Sequence, residues 1–372
     1  MNDYDDFDMS EDMTSERTYD SVDDFDEDAY VQHLLDMERA LEADPIIDAD
    51  EFAARGVGAL PDEKPGLDAV REALTTEPGP RPDPTIIYGV SGLSREQVDQ
   101  LRSTWEQVVP AARRKIMRQL VEASENMFQL DYRAFAIFGL GDPDPGVREA
   151  AIDALWEDQS LEVMNLLIGI VRQDDNREVR AAAMSGLSEF ILLGELGDLP
   201  DTETQRAQDL AAAVWQDEAE DVAVRRRALE AIANCSNPMV PGAIEDAYNS
   251  PHQEMRISAI FAMGRTYDDR WSDTVLEEIE SEDPAMRYEA ARAAGELSLV
   301  EAVPSLAQLT LEPDREIVEV AVWSLGEIGG KSAVRVLEVL AEKAEEEDDD
   351  LLLQAIDDAL GNATLVSELD EL

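Results

Sequence analysis

The sequence predicts an all-α protein built as a solenoid of about seven stacked helix pairs. Three observations support this: a pattern centred on arginine recurs along the chain, the copies are spaced by about 31 residues, and each copy has the apolar periodicity of a short helix. Such an interval holds two helices of about three turns and two tight turns. With 44% hydrophobic and 31% charged residues, the 372-residue chain can also bury a sizeable core.

The pattern is clearest in SEDPAMRYEAARAAGELS (281–298), where Arg287 falls among the apolar side chains once the segment is wound as a helix. The equivalent positions in the other copies are Arg148, Arg180, Arg225, Arg256, Val318 and Leu352. Every copy has alanine three residues later and apolar residues four and seven residues later. These side chains form one stripe, so the second helix of each pair buries this face.

We call Arg287 and its equivalents in the other copies the reference positions. Four residues before each of them stands a candidate N-cap. These residues are Asp144, Asn176, Asp221, His252, Asp283, Asp314 and Asp348. A charge on a core face must be paired. We therefore expect the arginines to form a structural ladder with the repeated turn aspartates Asp144, Asp221, Asp283 and Asp314. Three glycines at a spacing of 31, at 264, 295 and 326, are expected to end the second helices.

The segment EAVPSLAQLTLEPDREIVEVAVWSLGEIGG (301–330) resembles a HEAT repeat of the short, phycobilisome-lyase-like type, a bacterial HEAT-like repeat. The resemblance covers about 128–364. It implies a right-handed α-solenoid in which the arginine-bearing helices line the concave face. The resemblance is also compatible with a different function, that of a subunit that attaches a phycobilin chromophore, although these residues specify no bilin site.

The remaining segments differ in composition from the repeats. Residues 1–28 carry 13 acidic residues and one basic residue, which predicts a disordered acidic tail. Residues 29–76 are expected to form a short helical segment, and the Pro/Gly-rich 77–92 an extended linker. We interpret 93–127 as an N-terminal capping helix pair and 365–372 as an acidic C-terminal tail.

The charge balance excludes several classes of partner. Asp and Glu number 85 against 30 Lys and Arg, a formal net charge of −55, which repels nucleic acid and anionic membranes and favours basic partners. No apolar run approaches the roughly 18 residues of a membrane span, and MNDYDDFDMS lacks a signal-peptide pattern, so we expect a cytoplasmic protein. An alternative is a nucleic-acid mimic whose acidic tail occupies a basic protein surface.

The densest basic cluster comprises Arg113, Arg114, Lys115 and Arg118. One interpretation is ordinary ion pairing on a solvated helix face, where such pairs are common and weak. The other is a dock for an anion or for the acidic tail. The sequence leaves both open.

Candidate catalytic and metal-binding residues are few. HEAT-like hydroxylases bind iron through His-Glu pairs, but here His33 and His252 are far apart and neither is followed by glutamate. The single cysteine, Cys235, is interpreted as a small core residue. We therefore assign no catalytic residue, cofactor or metal, and predict a non-catalytic scaffold or adaptor.

A partner site is predicted on the helix face opposite the apolar stripe. The residues one and five positions after the reference vary between copies, and the middle-to-late copies place large side chains there: Ile257, Phe261, Tyr288, Arg292 and Trp323. Aromatic and arginine side chains are the usual anchors of protein interfaces. The alternative is that neighbouring repeats bury them. The expected partner is an unknown protein or peptide, with a basic surface favoured.

Overall fold

The computed structural model describes residues 63–76, 83–127 and 129–370. Within these ranges all regular secondary structure is helical, which confirms the predicted all-α class. The chain divides into two compact units between Val275 and Leu276. Predictions for 1–28 and 29–62 lie outside the described residues.

The first unit contains thirteen helices among the described residues. They are α1 (Leu67–Leu74), α2 (Pro84–Val90), α3 (Arg95–Asp99), α4 (Arg102–Trp105), α5 (Pro110–Asn126), α6 (Arg133–Gly139), α7 (Pro145–Asp153), α8 (Leu161–Gln173), α9 (Arg177–Glu195), α10 (Asp201–Gln216), α11 (Val222–Ile232), α12 (Val240–Tyr248) and α13 (Gln253–Arg265). The second helices α5, α7, α9, α11 and α13 contact one another in this order. The first helices α6, α8, α10 and α12 each contact the second helix of the same pair.

The chain crosses into the second unit along a short 3-10 turn (Asp269–Trp271) and α14 (Ser272–Glu278). The second unit continues with α15 (Pro284–Glu296), a 3-10 turn (Val300–Ala302), α16 (Val303–Leu309), α17 (Arg315–Ile328), α18 (Gly330–Glu346) and α19 (Asp350–Asp370). Helices α15, α17 and α19 contact one another in order, with α16 against α17 and α18 against α19. Each unit is therefore a stack of helix pairs, as the predicted solenoid requires.

The second helices begin where the predicted caps stand. Asp144, Asn176, Asp221, Asp283 and Asp314 each accept a hydrogen bond from a backbone N–H in the first turn of the helix that follows. His252 makes no such side-chain bond. At the last copy the cap is Asp349, whose carboxylate accepts from the Leu352 N–H at 2.9 Å, and not the predicted Asp348.

Two segment boundaries differ from the prediction. Residues 84–90 of the predicted linker 77–92 form α2. Asp83 caps this helix, Pro84 occupies its first position, and the Ile87 side chain is buried in the core. The Tyr132 hydroxyl donates to the Ile87 carbonyl at 3.1 Å, which holds this helix against the rest of the unit. At the other end, α19 continues to Asp370, so most of the predicted tail 365–372 is helical.

The repeated glycines lie in the last turn of their helices and not beyond it. Gly264, Gly295 and Gly326 lie inside α13, α15 and α17 and are buried. A Cβ atom added to Gly295 would lie 2.9 Å from Cα of Ser324, and one on Gly326 would lie 2.9 Å from Cα of Ala359. At Gly295 and Gly326, therefore, the missing side chain allows neighbouring second helices of the second unit to approach closely.

Candidate functional site

Four of the repeated arginines cap the turn that precedes their own helix. Each donates an Nη1–H to the carbonyl oxygen six residues earlier: Arg148 to Asp142 at 2.9 Å, Arg180 to Asp174 at 2.8 Å, Arg256 to Ser250 at 3.0 Å, and Arg287 to Ser281 at 2.8 Å. A half-buried guanidinium thus satisfies backbone acceptors that would otherwise lack a partner. This supports the structural role predicted for these arginines.

Three of the arginines also form a two-point ion pair with an acid from the turn of the next copy. Nε and Nη2 of Arg148 donate to Asp174 at 2.8 and 2.7 Å, those of Arg180 to Glu220 at 3.1 and 2.7 Å, and those of Arg287 to Glu312 at 2.8 and 2.8 Å. These acids stand one or two residues before the N-cap. For these three arginines, the predicted pairing with Asp144, Asp221, Asp283 and Asp314 is wrong, because those carboxylates face the first-turn N–H groups of their own helices.

The ion pairs shift the pKa of one of the acids, Asp174, and of two of the arginines. Burial alone would raise the pKa of Asp174, but hydrogen bonds from Arg148 and from the Asn176 N–H hold it below its usual value. The hydrogen bonds to Glu220 and Glu312 in turn raise the pKa of Arg180 and Arg287. The Asp174 carboxylate is therefore charged at neutral pH.

Arg225 is held differently. Its Nε donates to the Trp215 carbonyl at 3.2 Å, and its guanidinium lies 5.3 Å from the centre of the Trp215 ring. The sequence shows the reason, since the two residues before His252 in the copy that follows Arg225 are Ser250 and Pro251, neither of which is acidic.

Arg113 is a further member of the ladder. Its Nη2 lies 3.1 Å from Oδ1 of Asp142, both side chains are buried, and Trp105 Nε1 donates to the other oxygen of the same carboxylate at 2.8 Å. The prediction that Arg113 docks an anion or the tail is therefore wrong. A signal was present, because Ile116, Met117 and Leu120 follow Arg113 at the spacing of the other copies.

The rest of the basic cluster lies at the surface of α5. Arg114 is 3.6 Å from the Asp144 carboxylate, and Arg118 lowers the pKa of Asp153 without outweighing the effects that raise it. Lys115 and Arg118 are exposed. A docking role for Arg114, Lys115 and Arg118 stays a prediction.

A groove of about 1140 Å³ runs along α7, α9 and the start of α11, and we refer to it as the α7–α9 groove. Small residues of α9 line it: Ala181, Ala182, Ser185 and Gly186. Carboxylates line it from both helices and from the turn after α7: Glu149, Asp153, Glu157, Glu178 and Glu189. The groove therefore lies on the second helices, which the resemblance to HEAT-like repeats places on the concave face.

The acidic character of the groove is only partly neutralised. Five carboxylates and two guanidinium groups line it, and both guanidinium groups, Arg226 and Arg227, pair with the buried Glu230 at 3.3 and 2.5 Å. Asp153 is accessible to solvent, yet desolvation by the surrounding wall, with the neighbouring charge of Glu149, raises the pKa of its carboxyl. The groove therefore holds Asp153 in a position unfavourable to its charge.

Trp156 lies on the wall of the groove with 61% of its surface exposed. The sequence interpretation missed it, although a signal existed. Trp156 stands eight residues after the reference arginine, where five other copies have Ser188, Ala233, Gly264, Gly295 and Gly326 and the last copy has Leu360. In this copy a large indole replaces the small residue, and most of its surface is exposed to solvent.

The predicted late ridge is divided between the two units. In the first unit, Ile257 and Phe261 are half-buried, and the Arg265 guanidinium lies 5.9 Å from the Phe261 ring. In the second unit, Tyr288 is half-buried, and Arg292 pairs with two carboxylates of its own helix at 2.9 and 2.6 Å.

Trp323 is the most open of these five side chains, with 39% of its surface exposed, and it packs over Gly295. As a partner site, Ile257, Phe261, Tyr288, Arg292 and Trp323 stay a prediction.

Cys235 is buried, and its thiol donates to the Ile232 carbonyl at 3.2 Å. Burial, together with the charge of Glu195, raises the pKa of Cys235 to about 11, so the thiol is almost entirely protonated at neutral pH. Over the described part of the chain, no group of three or more His, Cys, Asp or Glu side chains could hold a metal ion. None of the described helices is long and apolar enough to cross a membrane.

Comparison with protein families agrees with this geometry. The family model for HEAT repeats matches residues 134–222 and 272–361, which cover α7 to α10 in the first unit and α15 to α18 in the second. These segments are HEAT repeats. Arg148, Arg180 and Arg287 lie within the matched segments, as do the residues of α7 and α9 that line the groove. A search of curated proteins found no significant match.

Several solved structures have a similar fold. One is the Escherichia coli protein YibA, with 16% identity and a TM-score of 0.40 over 75% of this chain and 95% of that one. Another is human deoxyhypusine hydroxylase in complex with glycerol, with 15% identity and a TM-score of 0.32 over 80% and 96%. A chain of the Kap95:Nup1 complex has 13% identity and a TM-score of 0.37 over 80% and 46%. Likenesses at this level support no conclusion about function.

Proposed function

We propose that this HEAT-repeat protein is a non-catalytic scaffold that binds a protein partner in the α7–α9 groove. The observation that carries the proposal is the exposed Trp156 on the wall of an open groove of about 1140 Å³. Exposed aromatic side chains in a concave surface are typical anchors of protein interfaces. A groove of this volume suits a segment of several residues.

The ladder supports this function by fixing the walls of the groove. The Arg148–Asp174 pair joins α7 to the turn before α9, and the Arg180–Glu220 pair joins α9 to the turn before α11. The three helices that line the groove are therefore held in register by half-buried ion pairs. A preformed groove binds with less loss of conformational entropy than a mobile one.

The test is to fill the groove. Ser185 is exposed on the groove side of α9, so Ser185→Trp should block entry without disturbing the core. The matched control is Gln173→Trp, because Gln173 is exposed at the end of α8 and does not line the groove. Affinity capture from the native cell extract with the full chain should recover a partner with wild type and control but not with Ser185→Trp. Equal recovery by both variants would refute the proposed site.

The late residues form a second arm of the same experiment. Phe261→Asp with Trp323→Asp alters the predicted ridge and leaves the α7–α9 groove unchanged. We expect partner recovery to persist in this double variant if the groove is the principal site. Loss of the partner in the folded double variant alone would transfer the site to the late repeats.

We also keep the phycobilisome-lyase-like subtype as a narrower proposal. Its support is the short repeat, since α13, α15 and α17 begin at residues 253, 284 and 315, which are 31 residues apart. Incubation of the purified chain with a phycobilin, followed by absorption spectroscopy of the denatured protein, tests for covalent attachment or transfer. A spectrum identical to that of free bilin would exclude this subtype's activity.

A further inference from the structure

We infer that the α7–α9 groove takes a cationic peptide segment, rich in arginine or lysine, and that Trp156 is its anchor. The inference rests on the proposed function and specifies the chemistry of the partner. It follows from three features of the same groove: its charge, the position of its indole, and the small residues that line it.

The first feature is an excess of acidic over basic side chains at the groove. Five carboxylates line the groove against two guanidinium groups, both of which pair with Glu230, a buried residue of α11. Of the five, Glu178 also pairs with Arg177. Glu149 and Asp153 lie one turn apart on α7, and the charge of Glu149 raises the electrostatic cost of ionising Asp153. A cation placed between them would relieve this repulsion, whereas an anion would increase it.

The second feature is the position of Trp156. It follows α7 directly, and its indole lines the same groove as the two carboxylates of that helix. Trp is the most favourable aromatic partner for a guanidinium or ammonium group. An arginine side chain can therefore stack on the indole while its charge faces the acids. Neither an apolar nor an acidic segment would use both surfaces.

The third feature is the room on the α9 side. Ala181, Ala182, Ser185 and Gly186 project little beyond the backbone, so a long side chain can lie along α9. The methylene stems of Arg and Lys bury well against apolar surface while their charges stay solvated. The groove thus accommodates both parts of these side chains.

The experiment must separate the groove from the general attraction that a net charge of −55 exerts on any cation. The probe is a fluorescein-labelled eight-residue peptide of alternating arginine and alanine, with a serine–alanine peptide and a glutamate–alanine peptide of equal length for comparison. Binding to the full chain is measured by fluorescence anisotropy at about 150 mM NaCl, where long-range attraction is largely screened.

Two charge-matched double variants give the decisive comparison. Glu149→Gln with Asp153→Asn removes two charges from the groove. Glu338→Gln with Glu342→Gln removes two charges from exposed positions on α18 in the second unit. We expect the groove variant to weaken binding of the arginine peptide about tenfold and the control less than twofold. Trp156→Ala should weaken it about threefold, with partial rescue by Trp156→Phe.

Each contrary result overturns the inference. Equal losses in the two double variants would show non-specific attraction, and absence of binding would show that the groove has no affinity for cationic segments. Tighter binding of the neutral or acidic peptide would assign a different occupant. Circular dichroism and urea unfolding verify that the variants are folded. If Ser185→Trp abolishes partner capture while the peptide comparison fails, the proposed function stands and only the cationic partner is rejected.

Discussion

Three half-buried arginines, Arg148, Arg180 and Arg287, each connect stretches of chain that are 25 to 40 residues apart in sequence. Arg148 binds the carbonyl of Asp142 in its own turn and the carboxylate of Asp174 in the next, while the Asp174 carbonyl accepts from Arg180. Each bond is charge-assisted and shielded from water, so it is stronger than an exposed ion pair. The ladder is therefore the main polar link between successive helix pairs.

Removing one carboxylate should break one ion pair of the ladder. Asp174→Asn keeps an acceptor for the Asn176 N–H but deprives Arg148 of its charge partner, so we expect the free energy of unfolding at pH 7 to fall by about 1–3 kcal/mol. Urea unfolding followed by circular dichroism measures this. The matched control, Asp175→Asn, alters an exposed neighbour and should change stability by less than about 0.5 kcal/mol.

The effect should depend on pH in a defined direction. Because the folded pKa of Asp174 is lowered, its contribution is complete above the unfolded value near 3.9 and is lost as the pH falls through the folded pKa. The difference between wild type and Asp174→Asn should therefore shrink below about pH 4. A difference that is constant down to acid pH would mean that the charge of Asp174 does not stabilise the fold.

At the scale of elements, the second helices are shaped by how closely they approach. The 45-residue interval between Arg180 and Arg225 is longer than the repeat, and its extra residues lengthen α9 and α10 to 19 and 16 residues. Gly194 lies where these two helices meet, and a Cβ there would lie 2.1 Å from the Thr204 side chain. The insertion thus extends a helix pair and adds packed surface.

Gly326 should tolerate no side chain. Gly326→Ala would force its Cβ against the backbone of Ala359, so we expect α17 and α19 to separate and the second unit to lose about 1–3 kcal/mol of stability. Gly361→Ala in α19 is the control, because no atom lies within 4 Å of its added Cβ. Alanine favours a helix interior by about 1 kcal/mol over glycine, so the control should be neutral or stabilised. Equal effects in thermal unfolding would contradict the close-approach explanation.

For the whole molecule, the dominant electrostatic term is self-repulsion. A net charge of −55 disfavours any compact state, and salt screens it between exposed charges about 10 Å apart or more. The shielded ladder pairs are screened less. We therefore expect the Tm at pH 7 to rise when NaCl increases from about 10 mM to about 300 mM. A lower Tm at high salt would mean that attractive surface pairs outweigh the net repulsion.

The sequence alone determined the features that depend on near neighbours along the chain. The all-α class, the starts of most second helices and the columns of arginines follow from capping residues and from periodicity within one helix, which act over a few residues. The aspartates at 144, 221, 283 and 314 cap the helices that the pattern assigned to them. The repeat therefore defined the building block and its copies.

Only the tertiary structure decided how the copies meet. The partner of Arg148 is Asp174 and not a cap aspartate, Gly326 is a contact point and not a helix end, and Arg113 is a rung of the ladder and not a docking site. The groove beside Trp156 also appears only when α7 and α9 are set side by side. These outcomes depend on the rotation and separation of neighbouring helices, which arise from packing between residues distant in sequence and leave no local periodicity to detect.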